Sequence, residues 1–398
     1  MPVARNLPVL PFGRSDLVHI APQFRALQAD SPVTLVRTPA GDPAWLILGH
    51  DNVRTLLADA RLGRSHADPE RAAVLSNAAI LGRPYGNPAT ERADHARWRS
   101  VMGRGFTSRR MEALRPRVRR LVDGLLDGLA ERTPPVDLHE TLCFPLPVLV
   151  ICELLGIPFE DREAFRVWSD QSVDLTDRDR AFEALARLTG YMGELVARKR
   201  AQPTDDVVSE LIRAADDDGL MTEDEMVGSA AGLLFAGHET TVTRLDFGIL
   251  LLLVHPDQGE LLRRDPALTD GAVEEILRVS TTTIGIVPRY ALEDVEYGGV
   301  TIRAGDMVLL GNDAANRDAH AFADPDRFDI RRERNPHLTF GHGARFCVGA
   351  PLARIELQSV FPALLRRFPA LRLAVPVEHV REKSHLVTGG LEELPVTW

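Results

Sequence analysis

The chain has 398 residues, 44% of them hydrophobic and 26% charged, which is enough to bury a large core as one big domain or two. Its net charge of −10 argues against a nucleic-acid partner. Three cysteines, Cys143, Cys152 and Cys347, argue for a reducing cytoplasm without a disulfide framework. The N-terminus lacks a signal-like apolar core, and the longest apolar run, 247–254, is too short to span a bilayer. We therefore expect a soluble, cytoplasmic protein without a membrane partner.

The first elements predict a small β portion and then a helix. Residues 33–36 and 45–48 are β-rich and flank a proline- and glycine-containing turn, so they are expected to form a hairpin. Residues 51–60 follow with a helical pattern. The stretch 76–90 contains two glycines and two prolines close together, which predicts an irregular loop. A loop of this length in a compact enzyme is often a binding loop or lid.

A long helical region follows this loop. His95 and Arg99 are four residues apart and share one helix face. Residues 108–200 are mostly helical by period, and 145–155 is nearly all apolar and should be buried. Residues 172–182 break the pattern, which predicts a loop between two helices.

One helix is predicted to be long enough to cross the molecule. Thr222 and Glu225 form a capping box, and Pro256 stops the helix near His255. A length of about 33 residues corresponds to roughly 50 Å.

The middle of this helix breaks local rules, which indicates function. Gly237 is unfavourable inside a helix, and a buried Glu239 requires a partner. The hydroxyl of Thr240 can bond to a carbonyl one turn earlier and bend the helix. A zinc-protease motif is excluded, because Val242 stands where its second histidine would be.

Further downstream, Glu275 and Arg278 are three residues apart on one helix face, a pair that by itself is common. An asparagine-, aspartate- and arginine-rich segment, 316–328, follows and contains Arg327. Between them, Arg289 comes after the apolar residues of 284–287.

The segment 340–350, FGHGARFCVGA, contains the most specific pattern in the chain. Its glycines allow the backbone to turn tightly and to approach a flat group closely. Cys347 precedes a predicted helix, whose N–H groups and dipole favour a thiolate over a thiol. Such a thiolate is a good axial ligand for haem iron. A dinucleotide fingerprint is excluded because Phe346 replaces its last glycine.

The five positions Phe340, Gly343, Arg345, Cys347 and Gly349 fit the pattern F-x-x-G-x-R-x-C-x-G, and the chain therefore resembles the cytochrome P450 family. The motifs A-G-x-[D/E]-T-[T/S], E-x-x-R and N-R-D-x-x-x-F-x-x-P-x-R-F also match. The resemblance extends over nearly the whole chain and is strongest to the soluble bacterial branch found in natural-product pathways.

This resemblance implies a mainly α fold with a small β portion, in which one domain, residues 1–398, holds haem b between the long central helix and the Cys347 loop. It implies a haem-thiolate monooxygenase of secondary-metabolite or antibiotic biosynthesis. The expected reaction is hydroxylation or epoxidation of a polyketide, peptide or terpenoid with O2. Electrons would come from a ferredoxin and its reductase, and we expect a monomer.

The resemblance also assigns roles to individual residues. Thr240 and Glu239 would relay protons during oxygen activation, and Cys347 would ligate the iron. The remaining haem-binding residues would be His95, Arg99, Arg289, Arg345, Phe340, Gly341 and Gly349. The residues expected to line the substrate cavity are Asn87, Leu233, Ala236, Ile284 and Val287. The residues expected to brace the cysteine loop are Glu275, Arg278 and Arg327.

Several alternatives remain open at this point. One is oxidative coupling or ring closure without oxygen insertion, and another is a peroxide-driven enzyme, against which the Glu239–Thr240 pair argues. A non-catalytic haem sensor or carrier and a helical scaffold without haem are the others. For docking of an acidic ferredoxin, we hypothesise a basic patch on the thiolate side. Its members would be Arg97, Arg109, Arg110, Arg331, Arg332 and Arg334.

Overall fold

The structure is a computed structural model that describes residues 7–80 and 82–398. Helices dominate it, as the sequence predicts. They are α1 (Pro22–Asp30), α2 (His50–Ala58), α3 (Glu91–Gly105), α4 (Ser108–Ala130), α5 (Pro145–Leu155), α6 (Arg162–Ser172), α7 (Arg178–Ala201), α8 (Val207–Asp216), α9 (Glu223–Val254), α10 (Pro256–Arg264), α11 (Thr269–Val279), α12 (Asn312–Ala315) and α13 (Ala350–Arg367).

In the described residues, the β portion is small and divided among three sheets. Its strands are β1 (Val33–Arg37), β2 (Pro43–Ile47), β3 (Leu62–Gly63), β4 (Val136–Asp137), β5 (Val287–Ala291), β6 (Val295–Tyr297), β7 (Val300–Ile302), β8 (Met307–Leu310), β9 (Arg372–Leu373) and β10 (Pro395–Thr397). The largest sheet has the order β1-β2-β8-β5-β3, and only its β2–β8 pair is parallel. The other sheets are β4-β10-β9 and β6-β7.

The predicted first hairpin is confirmed: β1 and β2 pair antiparallel, with Val33 opposite Ile47. The irregular loop predicted over 76–90 is confirmed for its described residues, 76–80 and 82–90, which are mostly irregular. The loop predicted over 172–182 is shorter, because α6 continues to Ser172 and α7 already begins at Arg178. Asp177 ends this loop early, since its side chain accepts a hydrogen bond from the backbone N–H of Arg180 and so caps α7.

Helix α9 is the central element, as predicted. Both halves of its capping box form: Thr222 accepts from the Glu225 backbone, and the Glu225 side chain accepts from the Thr222 backbone at 2.9 Å. Two glycines permit close packing, because a Cβ on Gly237 would overlap Ile151 of α5 and one on Gly248 would overlap Phe361 of α13. The glycine that is unfavourable for the isolated helix is therefore required by tertiary packing.

Four apolar clusters make up the interior of the described part of the chain. The largest joins α4, α5, α7, α9, α11 and α13, and two smaller ones lie on the faces of the main sheet. The fourth is separate and combines Ala78, Val173, Phe235, Ile284, Leu386 and Val387. Among the described residues, no helix is both long enough and apolar enough to cross a bilayer.

Candidate active site

The Cys347 loop is a tight turn closed by backbone hydrogen bonds. The N–H of Cys347 donates to the carbonyl of Phe340 at 2.9 Å. Gly341 and Gly343 have φ of 76° and 73°, a left-handed conformation that glycine adopts without strain. A Cβ on Gly343 would also come within 2.9 Å of the Ala58 Cα, so this glycine allows α2 to approach the loop. The loop thus holds Cys347 exposed at its end.

The environment of the Cys347 thiol differs from the sequence prediction. Cys347 is accessible to solvent, but the surrounding protein desolvates the thiol and raises its pKa. The backbone N–H groups of Gly349 and Ala350 and the charges of Arg99 and Arg354 act in the opposite direction without overcoming desolvation. The expected thiolate is therefore not favoured by the protein alone; an iron ion, which deprotonates a coordinating thiol outright, would supply the missing charge.

A buried ion pair lies behind this loop. Glu275 and Arg278 of α11 are fully buried, and their side chains bond at 2.7 and 2.8 Å. Arg278 also donates to the carbonyls of Asn316 and Pro325, so its guanidinium fixes the 316–328 segment. A buried pair with all its hydrogen bonds made rigidifies its surroundings.

The prediction for the third member of this brace is wrong. The Arg327 side chain is 64% exposed and faces Asp329; only the carbonyl of Arg327 accepts from Arg278, at 3.1 Å. Arg332, 11% exposed, places its Nε 3.1 Å from Glu275 instead. The sequence does not indicate that Arg332 takes the place of Arg327, because Arg332 lies in an arginine-rich turn without periodicity.

A neighbouring carboxylate, Glu274, makes a second brace that the sequence did not reveal. It accepts from Arg354 of α13 at 2.6 Å and lies 3.0 Å from Nε2 of His337. Burial alone would raise the pKa of Glu274, but the bonds to Arg354 and His337 lower it to about 2. The Arg354 guanidinium also stacks 4.6 Å from the centre of the Phe340 ring. Phe340 therefore anchors the cysteine loop to α13.

The predicted basic haem-binding residues come together in the structure. Arg289 is 4% exposed and its side chain donates to its neighbour's carbonyl, that of Pro288. Burial and the charges of Arg64 and Arg345 lower the pKa of Arg289 to about 9. Burial and the charges of Arg345 and Arg99 lower the pKa of His95 to about 4.

One carboxylate, Glu91, partly neutralises this cluster, and it was not among the residues predicted from the sequence. Glu91 accepts from the Arg345 side chain and from the backbone N–H groups of Arg64 and Ser65, the latter at 2.7 and 2.9 Å. Among residues 7–80 and 82–398, no carboxylate lies within ion-pair distance of Arg289. The cluster therefore keeps an excess of buried positive charge, which suits an anionic group.

Helix α9 presents an open face toward the site. Most of the helix is buried, yet Gly228, Gly232, Ala236 and Thr240 are exposed at intervals of four residues. The Thr240 hydroxyl donates to the Ala236 carbonyl at 3.0 Å, as predicted for a helix-bending threonine. Small side chains along one stripe leave room beside the helix for a bulky flat group.

The acid beside Thr240 points the other way and is buried. Oε1 of Glu239 lies 2.9 Å from Nε2 of His238, although this approach lacks the direction of a hydrogen bond. Burial alone would raise the pKa of Glu239, but the charge of His238 and a hydrogen bond with Asp170 lower it to about 2. Glu239 therefore has the partner that a buried carboxylate requires.

The predicted substrate-lining residues separate into two groups. Ile284 belongs to the fourth apolar cluster, and Ala236 is exposed on the open face of α9. The other three do not join them. Leu233 packs in the main helical core, and Val287 packs against the sheet. Asn87 is exposed, and its side chain accepts from the Ala89 backbone at 3.0 Å, just before α3.

These features fit haem b. The exposed thiol, the stripe of small residues on α9 and the buried cations without a matching number of anions correspond to an iron, a flat ring and two propionates. Cys347 would hold the iron, the stripe of small residues would leave room for the ring, and the basic cluster would bind the propionates.

Comparison with known proteins decides the family. The family model described as Cytochrome P450 matches residues 171–388. Pentalenolactone synthase of Streptomyces exfoliatus is 45% identical, over 99% of this chain and 100% of its own length. The chain belongs to the cytochrome P450 family. PikC of Streptomyces venezuelae, a cytochrome P450 monooxygenase, is 44% identical over 95% of this chain and 90% of its own.

Solved P450 structures agree with this assignment. The LnmA cytochrome P450 hydroxylase from the leinamycin biosynthetic pathway of Streptomyces atroolivaceus superimposes with a TM-score of 0.87 at 41% identity, covering 98% of this chain and 100% of that chain. The predicted fold class and the haem b cofactor are confirmed. This P450 is a monooxygenase that uses O2, a small-molecule substrate and redox partners.

Three of the six arginines in the hypothesised basic patch form ion pairs with carboxylates. Arg97 pairs with Glu225 at 2.5 Å, Arg110 with Asp205 at 3.1 Å, and Arg332 with the buried Glu275. These three arginines are neutralised by carboxylates that are distant in sequence. The exposed members are Arg109, Arg331 and Arg334.

Proposed function

We propose that this P450 hydroxylates or epoxidises a small natural product of the polyketide, peptide or terpenoid type. The observation that carries the proposal lies on α9, where the exposed Thr240 is adjacent to Glu239, which is buried and whose pKa is lowered to about 2. An alcohol on the open side and an acid on the protein side are the groups that a proton path into the site requires.

In this proposal, Cys347 ligates the iron, and Phe340, Gly341 and Gly349 shape the loop around it. The propionates of the haem are held by His95, Arg99, Arg289 and Arg345. Haem b, when bound, supplies O2 activation. Glu275, Arg278 and Arg332 hold the loop in place from behind.

The protein's own contribution is to move protons and exclude water. The Thr240 hydroxyl would give its proton to the reacting oxygen and would be reprotonated from the Glu239 side. The fourth apolar cluster, with Ile284, Phe235 and Val387, would seat the apolar part of the substrate beside α9. This placement keeps bulk water away from the reacting atoms.

The test is Thr240→Ala measured against Thr240→Ser. Loss of the hydroxyl should uncouple electron use from product, with the product formed per reducing equivalent falling roughly tenfold or more and hydrogen peroxide rising. Serine keeps the hydroxyl and should retain most of the coupling. Full coupling in the alanine variant would remove the relay from the proposal.

The substrate class can be found without turnover. Candidate polyketides, peptides and terpenoids are titrated into the haem-loaded protein, and binding next to the iron is observed as a Soret shift. Pentalenolactone synthase and the leinamycin hydroxylase, both similar to this chain, are named for natural products, which supports testing natural products first. An Ile284→Ala variant should weaken the shift for a true substrate, because Ile284 is part of the fourth cluster.

We also propose that a ferredoxin with its reductase supplies the electrons to a single-domain, monomeric, cytoplasmic enzyme. The exposed arginines, Arg109, Arg331 and Arg334, would contact the acidic ferredoxin. Arg109→Glu should slow reduction and weaken its salt dependence, whereas Arg187→Glu on α7 serves as the control. Equal rates in both variants would exclude this docking surface.

A further inference from the structure

Arg244 continues the open stripe of α9 one turn beyond Thr240. Its side chain is partly exposed, whereas the residues before and after it, 241–243 and 245–252, are all buried. Residues four apart are neighbours on the surface of a helix, so Arg244 lies on the same side of α9 as Thr240. A cation therefore stands at the C-terminal end of a stripe that otherwise carries small side chains.

The Arg244 guanidinium uses only one of its nitrogens to bond the described part of the protein. Nη1 donates to the carbonyl of Ser280, at the C-terminal end of α11, at 2.6 Å. Nε and Nη2 have no hydrogen-bond partner there, and neither of them is among the fully buried atoms that lack one. These two N–H groups therefore face open space. They form one edge of the guanidinium, and such an edge binds both oxygens of a carboxylate side by side.

The charge of Arg244 is not compensated by an ion pair. Among the side chains that the structure describes, no carboxylate lies within ion-pair distance of it. Burial lowers the pKa of Arg244, and the charge of Asp313 opposes this effect without forming a pair. The Asp313 carboxylate instead accepts the backbone N–H of Thr282 at 2.8 Å. Burying a cation without a partner costs free energy, and an anionic ligand that pairs with it offsets this cost.

The segment that Arg244 contacts leads into the fourth apolar cluster. Ser280 begins the connection between α11 and β5, and Ile284 in this connection belongs to the cluster together with Phe235 of α9. On α9, Thr240 lies between Phe235 and Arg244 in sequence. A ligand beside the Thr240 hydroxyl can therefore place an apolar part on the cluster and an anionic group on the guanidinium.

We propose that Arg244 is a specificity-determining residue that binds a carboxylate of the substrate through its Nε and Nη2 edge. The substrate class is then a natural product in which a short apolar part separates one carboxylate from the carbon that reacts near Thr240. The role of this carboxylate as part of a substrate rests on the proposed function. Its binding to Arg244 does not, because it requires no turnover.

The experiment uses ω-(imidazol-1-yl)alkanoic acids of increasing chain length and their methyl esters, titrated into the haem-loaded protein. The imidazole nitrogen binds the iron and shifts the Soret band, so each probe reports binding whether or not it resembles the substrate. In the unmodified protein, the acid of at least one chain length should bind about tenfold or more tightly than its ester, because only the acid pairs with Arg244. Equal affinities of acid and ester at every length would overturn the proposal.

Substitution of Arg244 shows which cation causes the preference. Arg244→Gln removes the charge but keeps an amide N–H for the Ser280 carbonyl, so the ratio of the acid and ester affinities should fall to about one. Arg187→Gln, at an exposed position in α7, should behave like the unmodified protein. A preference that persists in Arg244→Gln would overturn the proposal, since another cation would then bind the carboxylate.

A second variant keeps the test decisive. If Arg244→Gln does not retain haem, Arg244→Lys replaces the two-pronged edge by a point charge, and the preference for the acid should decrease without disappearing. An unchanged preference in Arg244→Lys would contradict binding through the guanidinium edge. These affinities are measured without turnover, so full coupling in Thr240→Ala would remove the relay role and leave them unaffected.

Discussion

The two sides of the active site are built on opposite electrostatic principles. Behind Cys347, the polar groups form closed ion pairs, such as Glu275 with Arg278 and Glu274 with Arg354. Beside α9, burial and the charge of Glu239 raise the pKa of Asp170 to about 6. On the propionate side, Arg289 is buried without a carboxylate partner among the described residues. A fully paired network is rigid, whereas unbalanced charges respond to a ligand or a proton. The thiolate side therefore fixes geometry, and the α9 side is the part that can respond.

The test with the largest expected effect replaces Cys347, the proposed iron ligand on the thiolate side. Cys347→Ser should abolish the far-red-displaced carbon-monoxide band of the reduced protein and reduce turnover to background, because the hydroxyl is not a thiolate donor. The control is Cys152→Ala, which lies in α5 within the helical core and should keep the band. A surviving band in Cys347→Ser would show that another residue ligates the iron.

A smaller expected effect, on the free energy of unfolding, distinguishes Arg332 from the predicted Arg327 as the third residue that braces the cysteine loop. Arg332→Ala removes a partner from the fully buried Glu275 and should lower the free energy of unfolding by about 3 kcal/mol. Arg327→Ala leaves its backbone carbonyl in place and removes an exposed side chain, so a change within about 0.5 kcal/mol is expected. Denaturant unfolding of the haem-loaded variants measures both, and equal losses would contradict the assignment of Arg332.

Acid should weaken the thiolate side through Glu274. Its pKa is about 2 in the folded protein against an ordinary 4.5, so its stabilisation is present above the ordinary value and is lost as the pH falls toward the lower one. Allowing for its partial exposure, we expect a loss of roughly 2 kcal/mol over this interval. In Glu274→Gln, the unfolding free energy should fall less over the same interval; an identical pH profile would assign the acid sensitivity to other groups.

The smallest effect concerns a residue that the structure removes from the predicted cavity. Asn87→Ala should cost about 1 kcal/mol, because its side chain bonds the backbone just before α3. Substrate-induced Soret shifts should be unchanged, in contrast to those of Ile284→Ala. A weakened shift in Asn87→Ala would return this residue to the substrate site.

Local rules were sufficient wherever adjacent residues determine the structure. The capping box at Thr222, the β1–β2 hairpin and the glycine-dependent turn before Cys347 follow from short-range hydrogen bonds and backbone preferences, which the sequence displays directly. The roles predicted for His95, Arg289 and Cys347 likewise rest on spacing and on family resemblance. The same information placed Thr240 and Glu239 side by side.

Only the tertiary structure decided which distant groups meet. Arg332 instead of Arg327 reaches Glu275, Leu233 faces the core, and Arg354 reaches Glu274 from another helix. The pKa of Cys347 is raised for the same reason, since desolvation depends on all the surrounding atoms and not on the helix that follows. Sequence patterns specify the face and the end of each helix; the packing of the helices determines which charges are buried together and therefore how each of them titrates.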